Sequence, residues 1–386
     1  MRLLHTSDWH LGRVLHEMPL LPDQENLLGQ VIKACQDGAY DALLISGDLF
    51  DRSLPSEEAV LLWSLFLREL HAACPKLPLL VISGNHDSAA RVAYASDALS
   101  LVKIHVRGGA GQIEVPVELT SASGEKVQIW LIPFLWAGDL DAGEKDAELR
   151  FRTQEETLAA AIKLIEGHQD PDAIQVALSH CFSQGGEASD SERVLVGTAT
   201  HVHPSLFSSF DYVALGHLHR PQKISERIWY SGSILPYSFS EANDAKCLLE
   251  VTLRKGQPPV VEMQPLSFPR PMQRLSGALS ELLDDPKFST AENSFVEITL
   301  RQADAGKNPF SLLKQRFQYL LHLRYASDDL EGEALEGHLS EIKRGEDLFA
   351  DYRRFASDLG LSPEDAEARA TLVKELMRSS ERKAEA

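Results

Sequence analysis

The sequence is short of basic charge: 38 Lys and Arg stand against 57 Asp and Glu, a formal net charge of −19. Coating a nucleic acid needs a basic surface, so a free-standing coat protein is excluded. An enzyme that reaches phosphates through metal ions, or through a partner that supplies the basic surface, is not. Cysteine is scarce as well. Cys35, Cys74, Cys181 and Cys247 are scattered without a CxxC pair, which indicates neither a disulfide framework nor a zinc knuckle and makes a reducing cytoplasm the expected compartment. Long apolar runs are missing. Leu3-Leu4-His5-Thr6 is too short for a signal-peptide core, and nothing approaches a bilayer span, so no membrane is expected. Internal repeats and low-complexity tracts are lacking too. What is present is ordinary for a globular protein of two or three units: 386 residues, 44% hydrophobic and 25% charged.

From residue 1 to about 265 the pattern alternates strand and helix. Strands are expected at Leu3–Ser7, Ala42–Ser46, Leu77–Ile82, Lys103–Arg107, Val127–Ile132, Ile174–Ser179, Tyr212–Leu215, Ile228–Ser231 and Cys247–Leu253. Helices are expected at Asp23–Gln36, at Ser56–Leu70, and after the capping box Thr153-Gln154-Glu155-Glu156. Alternation early and strand runs later predict an α/β fold, a layered sandwich of two mixed β-sheets flanked by helices. Prolines at 258–259 and 269–271 mark a boundary near 265. Residues 266–326 then read as a small α+β unit, with a helix at Ser276–Leu283, a strand at Phe295–Leu300, and a helix after Asn308-Pro309 that carries Leu312, Leu313, Phe317, Leu320 and Leu321. Residues 327–386 read as an acidic connector followed by two amphipathic helices.

Five clusters of ligand-type residues share one position, just after an apolar strand: Asp8 and His10, Asp48, Asn85 and His86, His180, and His217 and His219. Ligand sites in α/β sheets gather outside the carboxyl ends of the strands, so groups far apart in sequence can converge there. Leaving His86 aside, the set is too large for one ion and suits two, with Asp48 able to bridge them. Imidazole, carboxylate and amide donors favour Mn²⁺, Fe²⁺ or Zn²⁺ over Mg²⁺. Taken singly, each histidine is better read as a hydrogen-bonded surface or core residue, and His16, His201, His203 and His322 are read that way. Asp23, Asp41 and Asp51 are read as caps or solvated turns.

Asp8-Trp9-His10, Gly47-Asp48, Gly84-Asn85-His86-Asp87, His180 and Gly216-His217-Leu218-His219 resemble the ordered motif set of the calcineurin-like metallophosphoesterases. The longer strings His5–Gly12, Phe210–Gln222 and Tyr230–Ile234 resemble a narrower branch, the SbcD family of bacterial DNA-repair nuclease subunits. The resemblance implies the metallophosphoesterase fold over 1–265, a DNA-binding cap at 266–326, and two divalent metals, most consistently Mn²⁺. One metal would lie on Asp8, His10, Asp48 and His219, the other on Asp48, Asn85, His180 and His217. His86 would act on the phosphate. Asp87 either orients His86 or is a simple cap. The family further implies 3′→5′ double-strand exonuclease and single-strand endonuclease activity, a homodimer of nuclease subunits, an SbcC-type ATPase partner docked on the C-terminal helices, and a place at the nucleoid. Two alternatives stand beside this: a phosphoprotein phosphatase or small-molecule phosphodiesterase of the same superfamily, and a non-catalytic metal-stabilised scaffold.

Arg13, Arg52, Arg91 and Arg220 each follow a ligand cluster within a few residues. They are expected either to contact phosphates at the mouth of the site or to pair with neighbouring carboxylates.

Overall fold

Each strand expected over residues 1–253 is present to within two residues of its expected ends. The structure, a computed structural model, describes residues 1–121, 124–140, 151–192, 201–301 and 308–326. The expected connector and C-terminal helices lie outside the described residues. Apart from Leu300, Arg301, Tyr325 and Ala326, the described residues belong to one compact unit.

Two six-stranded sheets make up its centre. The first runs Val260–Pro265, Cys247–Thr252, Arg2–Thr6, Ala42–Ser46, Leu79–Ile82 and Ile104–Arg107 in spatial order, the last four parallel. The second runs Gln222–Lys223, Ile228–Tyr230, Tyr212–Gly216, Ile174–His180, Lys126–Ile132 and Val117–Thr120, parallel through its middle four strands.

The two-residue period of a strand assigns the faces. Leu3, Ala42, Leu44, Leu80 and Ile82 of the first sheet meet Ile129, Leu131, Val176, Leu178, Tyr212 and Ala214 of the second in a fully buried layer. Their neighbours Leu4, Leu43, Ile45, Leu79 and Val81 face outward onto the helices Leu21–Gly38 and Glu57–Ala73, through Leu27, Leu28, Val31, Ala59 and Phe66. On the far side Trp130, Ile132, Ala177, Val213 and Leu215 take the helix Gln154–Glu166 on Leu158, Ala161, Ile162 and Ile165. Strands buried on both faces read as unbroken apolar runs, which makes them visible in the sequence. The Thr153 capping box is formed as its residues imply, and Ser56 caps its helix by accepting from the Ala59 N–H.

After the Pro258-Pro259 pair, Val260–Pro265 folds back antiparallel on Cys247–Thr252, with Leu249 opposite Met263, and becomes the edge of the first sheet. One expectation for the later chain is corrected. The helix after Asn308 stops at Arg316, and Leu320–Tyr325 is a strand beside Phe295–Leu300, whose other neighbour is Met272–Gly277. Arg316 donates to the Leu282 and Asp285 carbonyls and to Glu292, pinning the turn where helical continuation was expected. Asp23 is likewise no solvated cap. It is buried in an ion pair with Arg270, whose guanidinium lies over the rings of Phe295 and Tyr319.

Candidate metal centre

The carboxyl ends of the parallel strands in both sheets meet at one place. The approach is too close for side chains at the turns. A Cβ on Gly47 (φ +91°) would lie 2.3 Å from His180 Nδ1, and one on Gly216 would lie 1.9 Å from the Ser46 carbonyl oxygen. Glycine there lets the two sheets bring their ligand loops together. The loops carry strain of their own. Asp8 (φ 53°), His10 (45°), Asp48 (49°) and His217 (110°) are all non-glycine residues in left-handed backbone. Such conformations cost about 1–3 kcal/mol each and persist where surrounding contacts enforce them. Here the His10 N–H donates to the Asp48 carbonyl at 2.9 Å, and the Asp8 N–H to the Gly47 carbonyl at 3.1 Å.

The expected ligand residues are thereby brought together. Ligand atoms of Asp8, His10 and His219 lie within 4.8 Å of one another, as do those of Asp8, Asp48 and His180, and those of His10, Asp48 and His86. All of these residues are buried. His10 Nε2 sits 3.1 Å from His219 Nε2 and 3.6 Å from Asp48. Asn85 Oδ1 lies 3.0 Å from His180 Nε2 and 2.9 Å from His217 Nδ1. The His217 backbone N–H donates to both Asp8 oxygens, at 3.0 and 3.1 Å.

Electrostatics put the imidazoles and Asp48 in the form a cation needs. Burial pushes the His217 imidazole down to about 3 and lowers those of His180 and, well below the usual range, His10. Neutral rings leave nitrogen lone pairs available. Burial pushes the Asp48 carboxyl up, but His180 and then His86 outweigh it and hold it below the usual value. Asp8 goes the other way, raised well above by burial and by the Asp48 charge beside it. Two buried carboxylates this close call for positive charge between them.

Two features test whether metals fit. His180 Nδ1–H donates to the Ser46 carbonyl at 2.9 Å, so its Nε2 turns a lone pair toward Asn85 Oδ1, an acceptor facing an acceptor that a shared cation relieves. His10 Nδ1 and Asn85 Nδ2 are buried without a hydrogen-bond partner among the described residues. The donor set of nitrogen and oxygen atoms fits two divalent ions.

His86 joins the same cluster. Its Nδ1–H donates to the Asp51 carbonyl at 2.8 Å, and its Nε2 lies 3.9 Å from Asp48. Among the described residues the hydrogen bonds of Asp87 go to the main chain. The Asp87 carboxylate accepts from the Leu49, Phe50 and Gly84 N–H groups at 3.0, 2.9 and 2.9 Å, and so ties the Asp48 loop to the Gly84 loop.

Asp51, expected to be a cap or a solvated turn, is a hub instead. It accepts from Arg13 at 2.9 Å, lies 3.7 Å from His10 Nδ1 and 3.6 Å from Arg52, and holds His86 through its carbonyl. Arg13 is therefore paired. Arg220 is too, with Glu187 at 2.8 Å and Asp244 at 3.1 Å, while Arg91 donates to the Ser53 carbonyl. Arg52 is largely exposed.

Three further residues escape a reading of the sequence. Gln24 is buried, donates to the Trp9 and His10 carbonyls and accepts from Gly12 N–H, fixing the first ligand loop. Its signal is legible afterwards: it lies on the stripe of Leu27, Leu28 and Val31. Glu241 and Lys246 form a fully buried ion pair of 2.6 Å behind His219. Lys246 also donates to the His219 carbonyl at 2.7 Å. Glu241 accepts from Ser191, whose Oγ is 2.5 Å from His219 Nδ1. No motif announces that network.

Among solved structures, the fold is similar to TT1561 of Thermus thermophilus, at 15% identity and a TM-score of 0.41 over 68% of this chain and 98% of that one. A dimetal phosphatase from Danio rerio matches at 12% identity and a TM-score of 0.40, over 69% of this chain and 98% of that one. The family model described as calcineurin-like phosphoesterase matches residues 1–221, a span that holds all seven expected ligands and His86. The chain belongs to the calcineurin-like phosphoesterases, a family of metal-dependent phosphoester hydrolases.

Proposed function

We propose that the chain is a DNA nuclease subunit that hydrolyses phosphodiester bonds at two divalent cations, manganese by preference. Asp8, His10, Asp48 and His219 would hold one cation, and Asp48, Asn85, His180 and His217 the other. The observation that carries this is the convergence of ligand atoms from five strand ends, with His86 aimed into the same cluster. A bound cation pair supplies charge neutralisation of the phosphate and activation of a water. The chain's own groups do the rest. His86, fixed by the Asp51 carbonyl, meets the charge that develops on the leaving sugar oxygen or delivers a proton to it. Asp87, through the backbone, holds the Asp48 and Gly84 loops in register.

The nuclease role is supported by the strings that carry the narrower resemblance, which wall the centre. His5–Gly12 includes Asp8 and His10, and Phe210–Gln222 includes His217 and His219. Tyr230–Ile234 is joined to the first string by the Ser7–Ser231 hydroxyl contact of 2.8 Å. In this reading residues 266–326 are the DNA-binding cap and residues 327–386 dock on the coiled coil of an SbcC-type ATPase. Nuclease subunits pair as a homodimer and work at the nucleoid. No helix among the described residues is long and apolar enough to cross a membrane.

The test is a manganese-supplemented assay on end-labelled duplex and single-stranded DNA beside a generic phosphate ester, with His86→Ala as control. Cleavage of DNA that the control lacks is the expected result. Hydrolysis of the small ester alone would move the assignment to a small-molecule phosphodiesterase or phosphatase, and inactivity on both with the ATPase present would leave a scaffold.

A further inference from the structure

Aromatic groups stand against two neighbouring imidazoles of the centre. The Phe134 ring stands edge-on to His180 at 6.1 Å between centroids, and edge-on to Trp136 at 4.9 Å. Phe182 lies 6.0 Å from the His217 ring and 4.3 Å from His201. His180 and His217 are themselves neighbours, 5.3 Å apart and sharing Asn85 Oδ1. Two aromatic groups therefore flank the same pair of imidazoles. On the other side the ring against His10 and His219 is Tyr237, which is buried, its hydroxyl donating to the Trp9 carbonyl.

Trp136 is 47% exposed, whereas Phe134 behind it is buried. A single exposed apolar residue is ordinary, but this one is built in. Its N–H donates to Asp139 at 2.8 Å, Asp139 N–H returns to the Trp136 carbonyl at 3.1 Å, and Gly138 N–H donates to Thr157 Oγ1 at 3.1 Å. The turn is tied to the helix Gln154–Glu166, and Phe134 backs the indole against a ligand imidazole. An accessible flat apolar face, fixed beside a centre that takes phosphoesters, matches what stacking on a nucleobase requires.

We propose that Trp136, with Phe182 and His201 against the neighbouring imidazole His217, stacks the unpaired nucleobase next to the scissile phosphate. The centre thus selects nucleotides whose bases are splayed out of a duplex. A paired base offers its face only to its neighbours in the stack, so this surface discriminates against intact double helix at the point of cleavage. The inference rests on the nuclease assignment.

The experiment uses the full chain, manganese, and two short single-stranded oligonucleotides, one with normal bases at the cleavage position and one with an abasic sugar there. The ratio of kcat/KM between them is expected to fall about tenfold or more in Trp136→Ala and to be largely restored in Trp136→Phe. A second readout does not depend on turnover. The base-bearing oligonucleotide should quench indole emission of the His86→Ala protein, and adding Trp136→Phe should remove that quench. If wild type cleaves both oligonucleotides and the ratio is the same in Trp136→Ala, the stacking role is overturned and the nuclease assignment stands. If wild type cleaves and binds neither while hydrolysing a small phosphate ester, the nuclease assignment fails and takes the stacking role with it.

Discussion

The two halves of the metal centre are built from the same parts and supported in opposite ways. Asp8, His10 and His219 are sealed. Behind His219 lie Ser191, Glu241 and Lys246, a charged network out of water, and the Glu192 carboxylate accepts the His219 backbone N–H at 2.8 Å. Asn85, His180 and His217 have no such backing among the described residues. His180 is held by a main-chain carbonyl, His217 through its N–H on Asp8, and the rings beside them are Phe134 and Phe182. Charged, desolvated hydrogen bonds fix geometry but depend on every partner being present. On the side with backbone and aromatic support, His180 and His217 are buried and Asn85 is partly exposed. The sealed half is thus the structural anchor, and the half that Asn85 leaves partly open is, under the proposed function, where substrate would arrive.

The largest effect belongs to the group between the halves. His86→Ala is expected to lower kcat by about 10²- to 10⁴-fold, the range of a lost acid–base or charge-stabilising group. Elemental analysis should find metal content unchanged, because the proposed ligands remain. Loss of metal together with turnover would instead make His86 a ligand and blur the division into halves.

Next comes the anchor itself. Glu241→Ala strands Lys246 as an uncompensated buried charge, and breaking a buried pair this way costs about 3–5 kcal/mol. Chemical denaturation should read that as a clear drop in midpoint. Replacing both residues by apolar ones of similar size, Glu241→Leu with Lys246→Met, is expected to recover part of it. On the open side Phe182→Leu should cost no more than about 1 kcal/mol, since Phe182 is only partly buried. Equal losses in the two variants would erase the contrast.

The third prediction concerns metal retention. Asn85→Ala removes a donor from the open half, and metal affinity should fall by at least the ~10–100-fold that loss of an outer-shell partner brings. Titration with a chelator measures it, and added manganese should restore turnover. An affinity unchanged by the substitution would remove Asn85 from the ligand set.

The same division explains what the sequence discloses. The proposed ligands are legible because each follows an apolar run and, at Asp48, Asn85 and His217, a glycine, and because both sheets are buried on both faces. Support is not legible where it is distributed. Gln24 sits on an apolar helical stripe and reads as an exception to it. Glu241 and Lys246 carry no motif, since only the tertiary fold puts them behind His219. Asp51 looks like a turn because one carboxylate after Gly47-Asp48 cannot show from spacing alone that its carbonyl faces a histidine 35 residues away. The Leu320–Tyr325 strand reads as helix because Phe317, Leu320 and Leu321 fit a helical stripe, and pairing with Phe295–Leu300 overrides local preference.

The smallest effect separates the arginines, which sequence alone groups together. Arg13 and Arg220 are already spent on Asp51, Glu187 and Asp244, so their guanidiniums reach a phosphate only by giving up a carboxylate. Arg52 is 72% exposed and lies 3.6 Å from Asp51, a contact worth little in water. Each phosphate neutralised contributes about 0.9 to the slope of log K against log salt for duplex DNA. Arg52→Ala is therefore expected to reduce that slope by about one, and Arg13→Ala or Arg220→Ala by less. Measured across a salt series, a larger change for Arg220 than for Arg52 would mean that DNA displaces Glu187 and Asp244, which would extend the substrate's contacts from the open half across to the sealed one.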